Sequence, residues 1–152
     1  MNRSNVSRAY AVIDGSEAYP GVKGQIMMRT VNKGVIVSVT VTGLPVNDGE
    51  EYGRFLGFHI HEGGSCTGTP DAPFKDTGMH YGSAECTHPY HAGDMPPLLN
   101  AGGMASMSFL TDRFTVDEVI GKTVVIHSGP DDFTSQPAGN SGAKIACGVI
   151  KR

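Results

Sequence analysis

The 152-residue chain has no tryptophan, only three cysteines and no long apolar run. Its longest uninterrupted apolar stretch, residues 9–13, spans only five residues, whereas a membrane-spanning helix needs about 18. The sequence therefore predicts no membrane association. Three cysteines are too few for a disulfide scaffold in a chain of this length, and the odd number leaves at least one thiol unpaired.

The chain also lacks a basic run, since 12 Lys and Arg against 15 Asp and Glu give a net charge of -3. A nucleic-acid binder would carry a basic patch, so nucleic acid is excluded as a partner. No apolar segment of the secretory type follows Met1, which predicts a cytoplasmic protein. Small molecules or ions are the better candidates for a ligand.

Short alternating segments are abundant. Gly 21 and Pro 9 make up about a fifth of the chain, which is typical of a fold rich in turns. Period-2 alternation and β-branched residues predict strands at 9–13, 22–31, 35–41, 57–61, 105–110, 123–127 and 145–150. Only 115–120 has a helical pattern. We therefore predict a single domain over 1–152 that is an all-β antiparallel sandwich or barrel.

Two long segments interrupt this pattern. Residues 62–99 and 128–144 are rich in Gly, Pro, Ser and Thr and have no apolar periodicity. Loops of this length are uncommon in a small domain unless they carry function or are held by something. We expect both loops to be functional.

All six histidines lie between positions 59 and 127. His59 and His61 share one face of a predicted strand, about 7 Å apart, and His127 ends another strand. In the first long loop, His88, His91 and Asp94 are spaced three residues apart. An isolated His-x-His is an ordinary polar face, but six clustered histidines favour metal binding. Three His and one carboxylate suit a closed zinc site, whereas an imidazole-rich open site suits copper.

Three segments resemble the copper,zinc superoxide dismutase family: GFHIHEGGSC at 57–66, HAGDMP at 91–96 and GNSGAKIACGVI at 139–150. The similarity extends over nearly the whole chain. It implies an eight-stranded Greek-key antiparallel barrel, an immunoglobulin-like sandwich, with two long functional loops. It also implies a homodimer, for which the strand at 145–150 fits an interface and an ordinary core strand equally well.

The resemblance implies that copper is bound by His59, His61, His80 and His127. It implies that zinc is bound by His80, His88, His91 and Asp94, with His80 as the bridging imidazolate. Asp131 matches the carboxylate that links a copper histidine to a zinc histidine, here His59 and His88. Cys66 and Cys147 match the family's disulfide, which would leave Cys86 free.

The sequence departs from the family at three places. Lys144 stands where the family has an arginine beside copper, and lysine offers a single point charge instead of a planar fork. With the net charge at -3, attraction of an anion would rest on Lys144 and on Lys75 in the other loop. The loop between His88 and His91 is shortened, and residues 46–55 resemble an insertion.

The implied activity is conversion of superoxide to O₂ and hydrogen peroxide by copper redox cycling, with zinc as the structural partner. His80 and Lys144 are the expected catalytic residues. The alternative is a non-catalytic copper- and zinc-binding module of the same fold, which the change at Lys144 favours. These motifs do not reveal which copper chaperone, if any, delivers the metal.

Overall fold

The computed structural model describes residues 6–46 and 54–152, which fold almost entirely into antiparallel strands. Nine strands lie in these ranges: β1 (Arg8–Gly15), β2 (Lys23–Val31), β3 (Gly34–Thr42), β4 (Phe55–Leu56), β5 (Phe58–His61), β6 (Leu98–Leu99), β7 (Ala105–Thr111), β8 (Thr123–His127) and β9 (Lys144–Val149). One turn of helix, α1 (Val116–Val119), and a 3₁₀ turn at Lys75–Thr77 complete the regular structure.

Seven strands form one curled antiparallel sheet in the order β5-β8-β9-β1-β2-β3-β7. The other two, β4 and β6, pair only with each other. The all-β antiparallel prediction is therefore confirmed, and each of the seven predicted segments is a strand of the large sheet. β4 and β6 were not predicted, because two residues are too few to show an alternating pattern. Most of the expected insertion, residues 47–53, lies outside the described residues.

The predicted helical segment 115–120 contains α1, and its start has a local cause. The Thr115 hydroxyl accepts a hydrogen bond from the Glu118 N–H, and the Glu118 carboxylate accepts one from the Thr115 N–H. This reciprocal pair satisfies two main-chain donors that a helix start leaves open. No helix within the described ranges has the length and apolar character needed to cross a bilayer.

The core lies on one face of the sheet. In β1, Ala9, Ala11 and Ile13 are at most 4% exposed, whereas Tyr10 and Val12 point outward and are 44% and 58% exposed. β5 and β8 differ, because every one of their residues is buried. Their inner residues enter the core, and the two long loops cover their outer face.

The first long loop reaches this outer face by pairing with the free edge of β5. The Ile60 N–H donates to the Gly93 carbonyl at 2.9 Å, and the Tyr81 N–H donates to the Ile60 carbonyl at 2.8 Å. Gly93 is required here, since a Cβ at this position would collide with the Ile60 carbonyl oxygen. The pairing places residues 80 and 94 beside the histidines of β5.

A disulfide joins the start of the same loop to β9. Cys66 and Cys147 are bonded across 81 residues of sequence, with their Cα atoms 5.8 Å apart. Cys86 is exposed and unbonded to another cysteine. The predicted pairing and the leftover thiol are both confirmed.

The alternation in β2 gives a direct stability prediction. Ile26 is fully buried and its neighbour Met27 is 56% exposed on the opposite face. We expect Ile26→Ala to lower the free energy of unfolding by about 2–5 kcal/mol, because it leaves a cavity. Met27→Ala should change it by less than about 0.5 kcal/mol. Urea unfolding of both variants tests this, and similar losses would contradict the assigned core face.

Candidate metal centre

Strands β5 and β8 present three imidazoles on their shared outer face. His59 and His61 lie on that side of β5, with ring centroids 6.3 Å apart, close to the spacing expected from the sequence. His127 ends β8, and its ring stacks on that of His61 at 5.4 Å. All three side chains are buried.

The loop residues complete two groups of possible metal ligands. The first comprises His59, His61, His80 and His127, and the second comprises His80, His88, His91 and Asp94. Within each group, one ligand atom per residue lies within 4.8 Å of all the others. All seven residues expected as ligands therefore come together, in the two sets that the family resemblance implied.

His80 belongs to both groups because its two nitrogens face opposite ways. Its Nδ1 lies 2.8 Å from Oδ1 of Asp94 in the second group. Its Nε2 is buried without a hydrogen-bond partner, and its ring centroid is 4.0 Å from that of His59 in the first group. One imidazole thus links the two groups.

Main-chain carbonyls fix which nitrogen of His61 and His127 is free to bind a metal. His61 Nδ1 donates to the Gly78 carbonyl at 2.8 Å, and His127 Nδ1 donates to the Gly142 carbonyl at 3.2 Å. In a neutral imidazole the other nitrogen is then an acceptor. The two Nε2 atoms are 3.3 Å apart, and two acceptors cannot satisfy each other. A cation between them would use both lone pairs.

Asp131 fixes the other two rings in the same way. Its Oδ2 accepts from His59 Nε2 and its Oδ1 accepts from His88 Nε2, each at 2.8 Å. Nδ1 of both rings is therefore the lone-pair atom. Gly139, at φ 69°, leaves room for this contact, since a Cβ there would lie 2.6 Å from His88 Nε2. The expected link between the two groups is present.

Four buried imidazole nitrogens have no hydrogen-bond partner within the described part of the chain. They are Nδ1 of His59, Nε2 of His80, Nδ1 of His88 and Nδ1 of His91. An unpartnered buried polar atom costs free energy, so such atoms need an explanation. All four belong to residues of the two groups of possible ligands. The donor sets therefore fit two metal ions.

Burial keeps the rings in the form that binds metal. Burial, reinforced by the neighbouring His127, lowers the pKa of His61 to about 2. Burial and the nearby His59 lower the pKa of His127 to about 3. For Asp131, burial alone would raise the pKa, but the hydrogen bonds from His59 and His88 outweigh it and hold the pKa at about 2. Neutral imidazoles and ionised carboxylates are the forms that metals require.

Lys144, the first residue of β9, lies opposite His127 in the β8–β9 register. Its Nζ donates to the Thr77 hydroxyl at 2.7 Å and to the Gly78 carbonyl at 3.0 Å. Partial burial lowers its pKa. An open cleft of about 330 Å³ leads to His127, and its other lining residues belong to the loop after β8 and carry no charged side chain.

Residues 22–150 match the family model described as copper/zinc superoxide dismutase (SODC). The chain belongs to this family. Two Cu-Zn superoxide dismutases of Aquifex aeolicus are 36% and 35% identical to it in alignments 143 residues long. These alignments cover 86% and 84% of this chain and 80% and 79% of those proteins. A SOD-like protein from Bacillus subtilis has a similar structure, with a TM-score of 0.74 and 27% identity over 91% of this chain and 95% of that one.

Some residues of this superoxide dismutase site had no signal in the sequence. The carbonyls of Gly78 and Gly142 orient two ligands, and the Thr77 hydroxyl holds Lys144. Main-chain acceptors carry no side-chain signature, so only the folded loops reveal them. The resemblance to the family, which extends over nearly the whole chain, nevertheless implied every ligand candidate and the orienting Asp131.

The double contact of Asp131 predicts an effect on both groups. Asp131→Asn cannot accept from both rings, because its amide nitrogen is a donor, so one ring loses its orientation. We expect metal affinity to fall roughly 10- to 100-fold, measured by competition with a chelator.

Asp132→Asn is the matched control, because that carboxylate is exposed and accepts only from Thr134 and Ser135 of its own loop. Equal losses in the two variants would refute the orienting role of Asp131.

Proposed function

We propose that the first group binds copper and the second binds zinc, and that the chain is a superoxide dismutase. The first group offers only imidazole nitrogens, which suit copper, and the second adds a carboxylate to three imidazoles, which suits tetrahedral zinc. The observation that carries the proposal is the position of His80, with one nitrogen facing each group. Such a ring couples a redox metal to a structural one.

The reaction converts two superoxide ions and two protons into O₂ and hydrogen peroxide. The copper ion, when bound, supplies the electron transfer by cycling between Cu²⁺ and Cu⁺. The chain supplies the rest: a buried ligand set, a cleft without acidic lining, and a proton carrier. We assign that carrier to His80 Nε2, which takes up a proton in one half of the cycle and releases it to the peroxide in the other. The second proton comes from water.

Lys144 attracts the substrate. Its ammonium group is half-buried and lies next to the first group, held by Thr77 and Gly78. A positive charge in a partly desolvated position raises the local concentration of a small anion. Lysine provides this charge without the planar fork of arginine, so we expect attraction to persist and docking to be less specific. Lys75, in the adjacent 3₁₀ turn, adds to the same field.

The second candidate, a non-catalytic metal-binding module, is favoured by one observation, the lysine at position 144. Copper and zinc loading of the purified protein, with dismutation measured per copper on the same sample, separates the two. We expect one copper and one zinc per chain with rapid turnover. Stoichiometric copper without turnover would support the module instead.

The homodimer also remains a proposal. β9 lies inside the sheet between β8 and β1, and Ile150 is 1% exposed, so the C-terminal strand serves the core. An interface would use another surface. Sedimentation of the metal-loaded protein measures the oligomeric state.

Removing one ligand of the first group tests the copper assignment. We expect His127→Ala to abolish turnover and to weaken copper binding by more than the roughly 10- to 100-fold that the loss of an outer-shell partner costs. The fold should persist, because His127 ends its strand and the disulfide remains, and circular dichroism checks this. Activity within about tenfold of wild type would contradict the assignment.

The role of Lys144 predicts a salt-dependent rate. Lys144→Gln should lower kcat/KM by about tenfold at low ionic strength, with a smaller difference at high salt, whereas Lys144→Arg should retain the rate. Lys33→Gln, at the exposed β2–β3 turn, changes the net charge equally and is the control. Equal effects of the two glutamine variants would show that only net charge matters.

A further inference from the structure

The segment from His88 to His91 carries two residues of the second group, yet it lies outside every strand and helix. Its main-chain polar groups therefore need partners other than a sheet ladder. Four are contacted by nearby residues. The Tyr90 N–H donates to the Thr87 carbonyl at 2.9 Å, and the Tyr90 carbonyl accepts from the Cys86 thiol at 3.1 Å. The His91 N–H donates to the Asp94 carboxylate at 3.0 Å, and the His91 carbonyl accepts from the Asp94 N–H at 3.1 Å. The others are supplied from distant parts of the chain.

Gln136, in the loop after β8, binds both main-chain polar groups of His88. Its Oε1 accepts from the His88 N–H at 2.9 Å, and its Nε2 donates to the His88 carbonyl at 2.7 Å. Nε2 also donates to the Thr134 carbonyl at 3.1 Å, which fixes the amide in place. One side chain thus clamps the backbone of a residue 48 positions away.

Arg113, between β7 and α1, holds the same segment from another direction. Its guanidinium donates to the Pro89 carbonyl at 2.7 Å and to the His91 carbonyl at 3.3 Å. Hydrogen bonds from a charged donor are stronger than neutral ones. Together, Gln136 and Arg113 contact the backbone on both sides of the short turn between the two histidines.

Both side chains are exposed, so neither contributes to the hydrophobic core. Their common target is instead the backbone from which the rings of His88 and His91 project. Asp131 already orients the ring of His88 from the same loop as Gln136. The loop after β8 therefore determines both the ring and the backbone of this one histidine.

We propose that Gln136 and Arg113 are positioning residues for the second metal group. They hold the His88–His91 backbone in the arrangement that the metal requires, so that binding does not have to order a flexible turn. Neither residue contacts the metal. The inference rests on the proposed function only in that the second group binds a metal ion.

Cobalt(II) provides a test that does not depend on activity, because it absorbs visible light when bound in a tetrahedral site. Protein carrying one equivalent of Cu⁺, which has no such absorption, is titrated anaerobically with Co²⁺ and then with Zn²⁺ in competition with a chelator. We expect Gln136→Met and Arg113→Ala each to weaken binding at the second group by about tenfold, with an altered Co²⁺ spectrum at saturation.

Matched controls use exposed residues far from the site. Gln25→Met on β2, and Arg152→Ala, which removes an exposed ion pair with Asp117, should bind Co²⁺ as wild type does. Conservative variants test the geometry. Arg113→Lys and Gln136→Glu each keep one of the contacts, so their Co²⁺ affinities should lie between that of wild type and those of Arg113→Ala and Gln136→Met.

Wild-type affinity and spectrum in Gln136→Met and Arg113→Ala would overturn the positioning role. A lower melting temperature of the metal-free variants, with unchanged Co²⁺ affinity and spectrum, would also overturn the positioning role, because it would show a purely structural contribution. If wild type binds Co²⁺ and dismutates superoxide, such a result leaves the proposed function intact. A wild-type protein that binds no Co²⁺ at the second group would overturn both.

Discussion

The metal centre depends on one main-chain interaction, the pairing of the first long loop with the free edge of β5. Ile60 donates to Gly93 and accepts from Tyr81, and these partners are the chain neighbours of Asp94 and His80. The side chains beside Ile60 are His59 and His61. A pair of hydrogen bonds therefore brings His80 and Asp94 of the loop beside the two histidines of the strand, and each metal group contains a residue placed by that register. An unpaired edge of a sheet, usually a liability, is here covered by the loop.

Several of the contacts that hold the two long loops lie around the metal centre. The disulfide fixes one end of the first loop to β9, and Asp131 and Gln136 of the second loop bind His88 of the first. Ordering so many residues without regular structure has a large entropic cost. Within the described residues, the four buried imidazole nitrogens have no hydrogen bond that would offset part of this cost. Metal bound only to the native state would stabilise it in proportion to its affinity.

The sequence and the structure differ in what each could reveal. Alternation and β-branched residues predicted the seven strands of the large sheet, but they missed β4 and β6, which are too short to alternate. The spacing of the histidines separated the strand residues from the loop residues of the cluster. The resemblance to a known family assigned His80 to both groups and supplied Asp131 and the disulfide. Neither the residue pattern nor the resemblance predicted a role for Gln136 or Arg113, because each contacts the backbone of a distant segment and lies in an ordinary polar stretch.

The carbonyl of Gly78 joins a ligand candidate to Lys144. It accepts from His61 Nδ1, which leaves Nε2 of that ring free for a metal, and it also accepts from Nζ of Lys144. The tautomer of His61 and the position of the Lys144 ammonium group thus depend on one oxygen atom. A forked side chain at position 144 would share this oxygen differently. The identity of residue 144 therefore bears on the first metal group itself, in addition to the substrate attraction that we propose for it.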